Sequence, residues 1–177
     1  MPRIVPVLLS ALLLIGCSAM PGTPWLAGLG DPVRGAALRA PSTLGDTSRW
    51  AGRPAEAAEA AAELEFLAGE FRNNPRYASE ANPAVSQQLE AARQEMRSFL
   101  GVAPGAAPEL VRAGLRRAAS ALRGGSMAGA EAALSGPAFA YGPPATLGRL
   151  ASMPRLPRTA EAAGAVAAEI DRLERRR

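Results

Sequence analysis

Through the last two-thirds of the chain, apolar residues recur at intervals of three and four, the period of an amphipathic helix. Ala57, Ala60, Leu64, Leu67 and Phe71 make the first such stripe and predict a helix over 53–71. Pro54 suits its first position, and Glu56 and Glu59 suit its positive N-terminal end. Glu56, Glu63 and Glu70 repeat every seven residues on a flanking face, and Asn73-Asn74-Pro75 stops the helix. Phe66 lies off the stripe, where it can receive a tryptophan from the preceding segment. A second stripe, Val85, Leu89, Ala92, Met96 and Phe99, predicts a helix over 82–101. Asn82 is its N-cap, Pro83 its first residue and Gly101 its C-terminal stop.

A third stripe, Val111, Leu115, Ala118 and Leu122, predicts a helix over 108–125. Gly124-Gly125 end it and Ser126 caps a short helix over about 127–135. So short a connection makes the two an αα-hairpin. No second copy follows, so the chain is not read as a repeat array. Residues 137–157 are irregular, with Phe139 and Tyr141 as anchors and a turn of helix near 145–152 turning Leu147 and Leu150 inward. A last helix over 159–177, capped by Thr159, carries Ala163, Val166, Ile170 and Leu173 inward. Arg175, Arg176 and Arg177 complement the negative end of its dipole.

No stretch alternates with period two, so the fold class is all-α: a small bundle of four longer helices and one or two short ones. Ahead of it, 11 of the 34 residues in 21–54 are glycine or proline, which argues against a long element there. The expected layout is a leader over 1–16, a Gly/Pro-rich tether over 17–53 and a helical domain over 54–177. As a coil the tether spans about 30 Å, with Trp25, Leu26, Leu29 and Trp50 as apolar points along it.

The leader departs from the helical period. Arg3 and the terminal amine precede a twelve-residue apolar core from Ile4 to Ile15, weakened as a permanent anchor by Pro6 and Ser10, the layout of a secretory signal peptide. As a helix this run covers about 18 Å, too short for a hydrocarbon layer of about 30 Å. Leu14-Ile15-Gly16-Cys17 resembles the lipobox of bacterial lipoproteins. The resemblance implies cleavage before Cys17, a diacylglycerol on its sulfur and an acylated amine. Two or more acyl chains hold a protein stably to a membrane where one does not. It also implies an envelope protein facing the periplasm, with Ser18 pointing to the outer rather than the inner membrane. Cys17 is the only cysteine, so lipidation consumes the one thiol of an exported chain.

Composition narrows the chemistry. All 20 basic residues are arginine, with neither lysine nor histidine. Loss of Arg3 leaves 19 arginines against 16 acids, a small surplus with no arginine cluster interleaved with aromatics, and nucleic acid is not an expected partner. Without histidine there is no Ser-His or Cys-His pair and no imidazole metal site; without lysine there is no Schiff base. No metal and no cofactor are expected. What remains is carboxylate chemistry, as in glycoside hydrolysis. The glutamates, however, sit in regular solvated spacing rather than in an apolar setting that would raise a pKa.

The expected function is therefore non-enzymatic: an envelope lipoprotein whose helical domain binds or scaffolds another component. The alternatives are a carboxylate-based, glycan-active enzyme and a carrier of a small apolar ligand. One surface strip is a candidate site. Arg112, Arg116 and Arg123 fall within about 40° of one another around the third long helix. They either pair with acids of the domain, such as the Glu56-Glu63-Glu70 face, or dock anionic headgroups or an acidic partner.

Overall fold

Proline supplies the punctuation of this chain. It pre-sets the backbone for a first helical turn and lacks an N–H that would be orphaned there. In the computed structural model, which describes residues 30–176, seven of eight helices have proline at their first or second position. The helices are α1 (Pro32–Thr43), α2 (Pro54–Asn73), α3 (Pro75–Glu80), α4 (Pro83–Leu100), α5 (Pro108–Arg123), α6 (Met127–Ala133), α7 (Gly142–Ala151) and α8 (Pro157–Glu174). A 3-10 turn covers Thr47–Trp50, and no strand occurs among the described residues. The fold is all-α. The leader, Cys17, Trp25, Leu26, Leu29 and Arg177 lie outside the described residues.

α2 is the axis of the bundle. Ala57, Ala58, Ala61, Ala62, Leu64 and Leu67 are fully buried on it, and α1, α3, α4, α5 and α7 all pack against it. α4 packs on both α2 and α8, and α5 with α6 forms the αα-hairpin. The apolar stripes point inward as their period requires. Leu89, Ala92 and Met96 are buried on α4, Val111, Leu115 and Ala118 on α5, and Ala163, Val166 and Ile170 on α8. Phe139, Leu147 and Leu150 are buried as expected, but Tyr141 is 54% exposed and stacks under the Arg149 guanidinium, 4.3 Å from the ring centroid. Gly101 ends α4 with φ 76°, and a Cβ there would meet the Tyr141 ring at 1.9 Å. Glycine is required on both counts.

Three features differ from the expectation. Residues 31–53, read as tether, belong to the compact unit that begins at Asp31. Val33, Ala36, Ala37, Ala40 and Leu44 are buried there, and α1 packs on α8. Its prolines do not break it: Pro32 opens the helix and Pro41 falls in its last turn. Next, Trp50 does not cover Phe66. Its indole N–H donates to the Thr43 carbonyl at 2.8 Å, while the Arg112 guanidinium lies over Phe66, 5.3 Å from the centroid. Last, Thr159 is not the cap of α8, which starts two residues earlier. Glu95 of α4 accepts from the Thr159 amide at 2.9 Å and the Thr159 hydroxyl at 3.0 Å, capping α8 from a neighbouring helix.

Candidate functional site

α2 and α4 are joined by a buried ion pair. Glu65 is 4% exposed, and Arg97 donates to both its oxygens, from Nε at 2.5 Å and from Nη2 at 2.7 Å. The remaining Arg97 Nη1 donates to the Ala106 carbonyl at 3.0 Å. One guanidinium thus ties two helices to the α4–α5 loop. A fork with all three nitrogens engaged holds orientation as well as charge.

Beside this pair the loop and α4 enclose a cleft of about 610 Å³. One wall is apolar, from Val102, Pro104, Ala106 and Pro108; the other carries Arg72, Arg93 and Arg97 with Glu90. Arg93 is ion-paired with Glu90 through Nη2, and its side chain is only 8% exposed. Arg72 stands at the rim, 66% exposed and 3.8 Å from the same carboxylate. Burial pushes Glu90 up, but the hydrogen bond and charge of Arg93, the Gln94 amide and the charge of Arg72 outweigh it. Its carboxyl titrates below the usual carboxylate range. Arginine pairs with both acids here and holds Glu90 as an anion, a poor setting for a general acid and a good one for fixing guanidinium groups.

The arginine strip is dispersed in its contacts. Arg123 pairs with Glu59 at 3.1 Å, both half-exposed. Arg112 is committed to the face of Phe66. Arg116 is exposed and contributes its field to Glu63. The acids met are Glu59 and Glu63 rather than the full Glu56-Glu63-Glu70 row: Glu56 lies 3.6 Å from Arg53, and Glu70 accepts from the Asn74 amide at 2.8 Å. Glu63, between α1 and α2, is a carboxylate pushed upward. Burial raises it, against Arg39 and Thr43. No group of three or more Asp, Glu, Cys or His that could hold a metal occurs among the described residues, and no described helix is long and apolar enough to cross a membrane.

The sequence reading passed over Arg72, Arg93 and Arg97, although one signal was present. At 100° per residue Arg93 falls about 40° from Leu89 and about 20° from Leu100. An arginine on that arc enters the buried face and needs a partner. Comparison with protein-family models, curated proteins and solved structures returned no match, so the chemistry of the cleft is read from its own residues.

Proposed function

We propose that this chain is a non-enzymatic, lipid-anchored protein of the bacterial cell envelope, facing the periplasm, whose helical domain binds or scaffolds another envelope component at the α4 cleft. The anchor is assigned to Cys17 on its lipobox resemblance, with the outer membrane favoured over the inner by Ser18. The observation that carries the binding role is the pairing of the cleft's carboxylate, Glu90, with Arg93, beside the Arg97–Glu65 pair. A carboxylate held as an anion, as Glu90 is, is a poor proton donor and a weakened base, whereas arginines buried beside an open volume serve recognition. The mixed polar and apolar lining also fits a polar ligand better than a purely apolar cargo.

Two measurements test the two halves separately. A fatty-acid analogue should label the wild type and not Cys17→Ala; an unlabelled, freely soluble wild type rejects the anchor. A photo-crosslinking residue at Gln94, on the cleft, should trap a discrete envelope component, and one at the exposed Ser120 should not. Equal trapping at both positions rejects the cleft as the contact.

A further inference from the structure

We infer that the α4 cleft takes a monoanionic organic acid, its carboxylate on Arg93 and a short apolar body against the proline–alanine wall. This rests on reading the cleft as the binding site and names the ligand chemistry. Arg93 is more than nine-tenths buried, yet only its Nη2 meets an acceptor; its Nε and Nη1 donate to nothing among the described residues. An arginine whose stem is buried while its spare N–H donors open on the cleft is a prepared donor site for an anion.

Charge selects the valence of that anion. Of the cleft's three arginines, Arg97 is spent on Glu65, and Arg93 and Arg72 share Glu90, which leaves a surplus of one positive charge. One carboxylate neutralises it. A dianionic phosphate would set a second negative charge beside Glu90 in a poorly solvated place, where repulsion is strong. Shape selects the rest. A bare ion leaves Val102, Pro104 and Pro108 in contact with water, while the 610 Å³ cleft lies within the roughly 300–1,000 Å³ of small-molecule sites. A peptide C-terminus and a free short-chain acid share this chemistry.

The experiment is calorimetric titration of the full chain in an uncharged detergent with N-acetyl-alanyl-alanine, its C-terminal amide, butyrate and inorganic phosphate. The free acid should bind about tenfold or more tightly than the amide and than phosphate. Butyrate binding as well as the dipeptide identifies a free acid as the source; weaker butyrate binding identifies a peptide terminus. Arg93→Gln should lose about tenfold while keeping the wild-type helical circular dichroism spectrum and a single cooperative melt, and Arg72→Gln about two- to threefold, with a weaker salt dependence. Should Arg93→Gln not fold, Ser98→Trp fills the cleft without touching its charges and should abolish binding. Equal binding of acid and amide, tighter binding of phosphate, no binding of any probe, or full binding by Ser98→Trp overturns the inference. Trapping from Gln94 without carboxylate preference would leave the cleft a docking surface and remove only its ligand class.

Discussion

Two seams of this bundle are built from opposite materials. α1 lies on α8 with alanines at its buried face, Ala36, Ala37 and Ala40. α2 meets α4 across the Glu65–Arg97 fork, with Arg93 and Glu90 alongside. The alanine seam brings backbones close, with the Arg34–Glu174 ion pair at its exposed edge, so its stability comes mainly from dispersion and exclusion of water. The charged seam carries a desolvation cost that only good geometry offsets. It gains orientation, and it leaves guanidinium hydrogens at an open volume. A quiet seam and one with guanidinium donors to spare thus share one scaffold.

The comparison breaks most sharply at Arg97. Arg97→Ala strands Glu65 as a buried, unpaired charge and should cost about 3–5 kcal/mol in denaturant unfolding. Glu65→Leu/Arg97→Met should recover most of that loss, because the pair itself contributes little net stability. A double variant no better than Arg97→Ala would mean the fork is a genuine stabiliser. On the quiet seam, Ala37→Leu forces extra methylenes into a fully buried site and should cost about 1–3 kcal/mol. It should leave cleft binding untouched; lost binding would show that the seams are coupled. Glu95→Ala removes the cap that α4 lends to α8 and should cost about 1 kcal/mol. A loss under about 0.3 kcal/mol would mean that water replaces it.

The smallest effect is expected in pH dependence. Glu63 is raised by burial, so its contribution to stability is present below the unfolded-chain value and lost as pH rises through the folded one. Glu63→Gln should therefore be slightly more stable than wild type at pH 7, with the gain vanishing in acid. Glu90 and Glu169 are lowered. Their contributions are present above the unfolded-chain value and fall away as pH drops through the folded values, so the wild type should weaken in acid. A Glu63→Gln variant less stable at pH 7 would show that the charge on Arg39 outweighs burial.

How much of this was legible depended on whether the signal was local. The α4 helix was, because Asn82, Pro83 and Gly101 act within a turn of themselves and its apolar stripe is large. α1 was not, because a count of glycine and proline hides position. Val33, Ala36, Ala37, Ala40 and Leu44 follow the helical period, but their small side chains carry little weight against Pro32, Gly35 and Pro41. α3 was hidden by a signal with two meanings: Asn74-Pro75 ends α2 and also caps and opens the next helix. The cleft is a tertiary object. Arg93 could be placed on the buried arc of α4, but the facing loop wall of Pro104 to Pro108 depends on where Arg97 holds the Ala106 carbonyl.

Asp31 fixes the start of the domain. Its carboxylate accepts from the amides of Val33 and Arg34, from the Tyr77 hydroxyl and from Arg76 at 2.7 Å, which knots the first residue of the bundle to α3. With an acyl anchor at Cys17, no more than about 50 Å of fully extended chain joins lipid to knot. A half-sphere of that radius holds one domain at a local concentration of a few millimolar. At that concentration a ligand presented at the same membrane is captured even when its affinity in free solution is only millimolar. Selectivity can then come from which molecules lie within reach as much as from the strength of any one contact.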